Sequence, residues 1–142
     1  MFGLLERETG KVKTSVIEGR RKHHLHREIR ENVAPGAELY TDALKSYDGL
    51  DEYTHRVINH AEAYVDGTVH TNRLENFWSL LKRSIKGTYV SVEPFHLFRY
   101  LVAQSFRYNE RHLTDMQRFA KTLYSVAGKR LMWKNLTSQE VG

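Results

Sequence analysis

Two acidic residues stand where side chains of different kinds converge. At about 100° per residue, Asn72, Glu75, Ser79, Lys82 and Lys86 fall within roughly an 80° arc of one helix, while Leu74, Phe77, Trp78, Leu81 and Ile85 fall on another side. One carboxylate thereby shares a face with an amide, a hydroxyl and two ammonium groups. The same pattern also suits an ordinary solvated face. The second acid, Asp42, ends the strand-like run Leu39-Tyr40-Thr41 at a turn toward a helix. In α/β sheets, ligands gather at the carboxyl ends of strands, so a carboxylate there is placed to hold a cation. It is equally placed to cap the helix starting at Ala43.

The elements that position these residues can be read from pattern. Strands are expected at 2–7 and 11–17, joined as a hairpin through Glu8-Thr9-Gly10. Residues 20–33 repeat Leu25, Ile29 and Val33 on an Arg-, Lys- and His-rich background, one apolar stripe on a polar helix that Pro35-Gly36 ends. A short strand at 38–41, a helical turn at 43–49 closed by Gly49, and a strand at 53–58 follow. A polar loop at 59–70 leads into the helix at 72–86, which should stop before Gly87. Helices are predicted at 94–109, opened by Pro94, and at 114–127, capped by Gly128, with a fraying tail after Trp133. The order makes a mixed α/β plan with a helical C-terminal half, read as one domain over residues 1–142.

Composition narrows the chemistry. Of 142 residues, 40% are hydrophobic and 27% charged, enough to bury a core. Cysteine is absent, which excludes disulfides, thiolate metal sites and a thiol nucleophile. The net charge of +5 favours a polyanionic partner, nucleic acid first. No apolar run approaches a membrane span and no leader pattern opens the chain, so a cytoplasmic protein without membrane contact is expected. In the His23-His24-x-His26 cluster, adjacent rings point about 100° apart and cannot easily meet one ion, so the run from Arg20 to Arg30 reads as a basic face, either solvated or in contact with DNA backbone phosphate. Phe95, Phe98, Tyr100, Phe106 and Tyr108 have the spacing of core aromatics, and Trp78 is likewise assigned to the core.

Longer strings carry a resemblance. "LYTDALKSYDGL" (39–50), "YTHRVINHAEAYVDGTVHTNRLENFWSLLKRSIKGTY" (53–89) and "FHLFRYLVAQSFRYNER" (95–111) closely resemble the ISXO-like insertion-sequence transposases, within the DDE superfamily of RNase H-like recombinases. The opening residues 3–12 and the stretch 128–137 resemble the same family, so the likeness covers nearly the whole chain. It implies DNA transposition by two-metal strand cleavage and strand transfer with Mg²⁺ or Mn²⁺. Asp42 matches the family's second acid and Glu75 the third, both as metal ligands, with Asn72 the alternative at the third position. Lys82 matches the basic residue at DNA phosphate, with Ser79, Arg83 and Lys86 beside it, and His70 lies near the site by the same likeness.

The family's first acid belongs to a central strand ahead of the segment matching Met1 to Arg7. No Asp precedes Asp42, and the earlier acids, Glu6, Glu8, Glu18, Glu28, Glu31 and Glu38, lie outside that motif. The expectation is an RNase H-like mixed sheet lacking its first central strand, an N-terminally truncated and catalytically impaired domain. Unpaired edges between the strands at 2–7 and 38–41 would favour homo-oligomers or pairing with a full-length transposase. The alternative is a non-catalytic DNA-binding or oligomerising remnant that modulates such a copy.

Overall fold

The structure is a computed structural model that describes residues 1–42, 44–58, 72–89 and 91–137. Its described elements are β1 (Phe2–Leu5), β2 (Val12–Ser15), α1 (Lys22–Asn32), β3 (Glu38–Thr41), β4 (Thr54–Val57), α2 (Asn72–Ser84), α3 (Leu97–Asn109), α4 (Asp115–Val126) and α5 (Trp133–Thr137). A 3₁₀ turn at Lys45–Tyr47 lies between β3 and β4, and another at Pro94–His96 leads into α3. The mixed α/β plan thus holds. The polar stretch 59–70, with His60 and His70, lies outside the described residues. The chain divides into two compact units, Met1–Phe2 with Val16–Arg73, and Gly3–Ser15 with Leu74–Gly142.

In the first unit β3 and β4 pair in parallel, with Glu38 opposite Thr54 and Thr41 opposite Val57. Ile58 N–H donates to the Thr41 carbonyl at 2.8 Å, which extends the ladder to the end of β3. α1 buries Leu25 and Ile29, two of the three residues of its predicted stripe, and Leu39, Leu50 and Tyr53 are buried with them in this unit. Tyr53 keeps its polar end satisfied by donating to the Val33 carbonyl at 3.1 Å. One correction falls here: His26, expected on a basic outer face, is buried. It stands one position from Leu25 and three from Ile29, close enough on the wheel to turn inward with them.

The second unit is organised by the β1–β2 hairpin and α3. Gly10, at φ 67°, turns the hairpin in a conformation that L side chains rarely adopt. Asn109, the last residue of α3, clamps Val12 on both sides: its Oδ1 accepts the Val12 N–H at 2.7 Å and its Nδ2 donates to the Val12 carbonyl at 2.8 Å. Thr14 and Ser105 hydroxyls meet at 2.8 Å one turn back. Phe77, Val12 and Tyr108 form the core, with Leu5, Leu74, Trp78 and Leu80 packed against it. Phe77 meets Tyr108 edge-on at 5.4 Å and Trp78 at 5.0 Å, contacts worth about 0.5–1.5 kcal/mol each beyond burial. Trp78 reaches this position because Gly3 has no side chain: a Cβ there would lie 2.6 Å from the indole.

The end of α2 departs from expectation. Gly87 does not stop the helical path; a π-helical turn carries it through Ile85–Tyr89. The Tyr89 ring packs edge-on against Tyr100 of α3 at 4.7 Å, an anchor beyond the glycine that local propensity does not register. Phe98, predicted for the core, is exposed, and Arg99 lies over its ring at 5.2 Å. The tail after Trp133 begins with the short helix α5 rather than fraying at once.

Candidate active site

Asp42 and Glu75 belong to different units, and each has its own surroundings. Asp42 follows β3 directly and is exposed. Its Oδ1 accepts the Leu44 N–H at 3.3 Å, ahead of the 3₁₀ turn at Lys45–Tyr47, whose N-cap is Leu44 with no side-chain cap. The Thr41 hydroxyl donates to the Asp42 carbonyl at 2.9 Å and lies 2.8 Å from His55 Nε2. The parallel register explains this contact. Leu39 is opposite His55 and Thr41 opposite Val57, so Thr41 and His55 are diagonal neighbours on one face. Tyr47 also belongs to this end of the strand. Burial, and then the negative charge of Asp42, push its phenol above the ordinary value and keep it neutral.

Glu75 lies on the outer face of α2. Phe77 and Leu81 are fully buried, and on the opposite side Glu75, Ser79, Lys82, Arg83 and Lys86 are all exposed. The burial pattern therefore separates the two faces as the sequence wheel does. Glu75 lies in the first turn and Lys82 and Arg83 in the last, each sign placed at the end of the helix dipole that favours it. Lys86 continues the row on the π-helical turn. From Glu75 to Lys86 the face spans about 16 Å along the axis, a carboxylate at one end and a cationic ridge at the other. Asn72 is the first residue of this helix.

Carboxylate oxygens are the donors that Mg²⁺-like cations select, so Asp42 and Glu75 suit such an ion in kind. Among the described residues, no group of three or more His, Asp or Glu side chains gathers to hold a metal. The ligand number of a two-ion centre is therefore not met by the described side chains. Thr41, His55 and Tyr47 are the neighbours of Asp42 that sequence reasoning missed. For Thr41 and His55 the signal is the parallel registration of β3 with β4, which no local pattern encodes.

Comparisons with known proteins point to one family. Residues 1–109 match the family model of the ISXO2-like transposase domain, a stretch that includes Asp42 and the whole α2 face. An uncharacterized transposase-like protein of Haemophilus influenzae is 31% identical over 115 residues, covering 80% of this chain and 93% of that protein. No solved structure matches. Among the described residues, no helix is long and apolar enough to cross a membrane.

Proposed function

Because the chain belongs to the ISXO2-like transposase family, we propose that it serves DNA transposition through phosphoryl transfer on an RNase H-like domain of the DDE class. The observation that carries this reading is the exposed α2 face, with Glu75 leading Ser79, Lys82, Arg83 and Lys86, inside the stretch that matches the family. Asp42 and Glu75 are read as the ligands of Mg²⁺ or Mn²⁺, with Asn72 the alternative to Glu75. When bound, such ions activate the attacking oxygen and stabilise the leaving one.

The chain's own residues have separate tasks in this reading. Lys82, Arg83 and Lys86 neutralise phosphates along one DNA strand, and Ser79 adds a hydroxyl at the backbone. The DNA belongs to the element ends and then to the target. The Leu44 N–H holds one oxygen of the Asp42 carboxylate, which limits how it can swing. Close dications need several negative ligands, and among the described residues no group of three or more His, Asp or Glu gathers to supply them. That count also favours a second reading, a DNA-binding or oligomerising protein that modulates a full-length transposase.

The test is strand cleavage on duplexes carrying the DNA that flanks the gene, with Mg²⁺ or Mn²⁺. Salt-dependent binding and weak nicking are expected, the nicking lost in both Asp42→Ala and Glu75→Ala. Loss in Asn72→Ala with Glu75→Ala active would move the third position to Asn72. Lys82→Ala should weaken binding and lower the salt slope by about 0.9. Nicking that survives both acid substitutions would end the catalytic reading; binding with no nicking at all would select the second.

A further inference from the structure

α4 turns its polar side toward its own unit. Arg118 donates to the Glu110 and Leu113 carbonyls, and Lys121 pairs with Glu110. At about 100° per residue, Met116, Phe119, Leu123 and Val126 fall within one arc, away from Arg118 and Lys121. Each of these four is more than half exposed. At about 150–250 Å² for an aromatic side chain, and somewhat less for an aliphatic one, the stripe leaves several hundred square ångströms of apolar surface open. A patch of that size on a monomer is often functional. The capping box at Thr114 and Gln117 forms the helix in advance, so a partner need not supply the free energy of ordering it.

Spacing and charge identify the occupant. The steps from Met116 to Phe119, Leu123 and Val126 are three, four and three residues, the seam of a two-helix coiled coil. That series reads the same in either direction. Laid against itself end for end, it sets Met116 of one copy against Val126 of the other, and Phe119 against Leu123, so the face is its own complement under a two-fold axis. Ala120 and Ala127 border the stripe on one side and Asp115 and Thr122 on the other, so no cation stands along either border. A lipid surface would call for cations there. Beyond the helix ends the charges differ in sign. Asp115 lies at the start, its side chain 96% exposed although it pairs with Arg118, and Lys129 and Arg130 follow the end. The antiparallel arrangement brings Asp115 of each copy toward Lys129 of the other and opposes the two helix dipoles; a parallel one would gather like charges.

We propose that the Met116–Val126 face of α4 pairs with the same face of a second copy of this chain, as an antiparallel two-fold contact. α4 follows residues 1–109, the stretch that matches the family, and the pairing does not rest on the catalytic reading. The face is small beside the roughly 800 Å² per partner of a standard interface, so the pair is weak and the chain is a monomer in dilute solution.

The experiment is sedimentation equilibrium of the full chain from about 1 µM to 1 mM. The mean mass should rise from one copy toward two and stop there. Phe119→Lys and Leu123→Glu, both at exposed positions, should keep the helix content seen by circular dichroism and each weaken pairing by about tenfold or more. Mixed in equal amounts, these two variants should pair again. The end-for-end register sets the introduced ammonium of one against the introduced carboxylate of the other, which a parallel register does not. A chain that stays single at every concentration would overturn the proposal, and its retention on phosphatidylserine vesicles would assign the stripe to a lipid surface. Pairing undiminished in Phe119→Lys, growth beyond two copies, or variants that stay single when mixed would overturn it as well.

Discussion

α2 and α4 are both amphipathic helices of the second unit, yet they meet opposite fates. In α2 the apolar stripe closes on the core, with Phe77 0% and Leu81 1% exposed. In α4 the stripe Met116, Phe119 and Leu123 repeats at the same helical spacing, but these side chains are 74%, 58% and 51% exposed and the helix has no buried residue. α4 is held by local devices instead. Thr114 and Gln117 form a reciprocal capping box, with hydrogen bonds of 2.9 and 3.3 Å. Arg118 pairs with Asp115 and donates to the Leu113 carbonyl at 2.8 Å. An apolar stripe announces that a helix can be buried; whether it is buried depends on a partner that the helix does not encode.

Substitutions can break or sharpen this contrast. The largest effect is expected for Phe77→Ala, a loss of about 3–5 kcal/mol by chemical denaturation, because the ring is fully enclosed and its space cannot collapse. Asn109→Ala should follow, at about 1–3 kcal/mol, since it strands the Val12 N–H and carbonyl that the amide satisfies. Removing the cap in Thr114→Ala should cost about 1 kcal/mol and appear first as lost helix content in α4. Phe119→Ser, at an exposed position of the α4 stripe, should change stability by no more than about 0.5 kcal/mol; a loss near that of Phe77→Ala would show that α4 is covered in solution.

The smallest effect is a titration. A hydrogen bond from Lys121 holds the Glu110 carboxyl below its ordinary value, so the folded pKa is depressed. Its contribution is present above the ordinary carboxylate value and is lost as pH falls through the folded one. The Glu110 carboxyl should titrate below a peptide reference by ¹³C NMR, and Lys121→Ala should move it up toward the reference.

Much of the architecture was legible before folding. The boundaries of β3, α1 and α3 agree with hydrophobic periodicity and breakers to within a few residues, and Gly10, Gly36, Gly49 and Gly128, each read as punctuation, all take positive φ. The two faces of α2 were also legible, because Phe77 and Leu81 recur at the helical period while Glu75, Ser79, Lys82 and Lys86 fall between them. The π-helical turn across Gly87 was not, since Tyr100, which anchors Tyr89, lies on another helix. Nor was the inward turn of His26, whose ring type and basic neighbours point outward by composition.

Residue order therefore settles which segments are helical or extended, where they turn and which side chains share a face, because propensity, periodicity and backbone sterics act within a few positions. Packing alone settles that the apolar stripe of α2 is buried and that of α4 is not, that Thr41 meets His55 across parallel strands, and that His26 turns inward. Those outcomes depend on contacts between distant segments, whose free energies no single window of the chain contains.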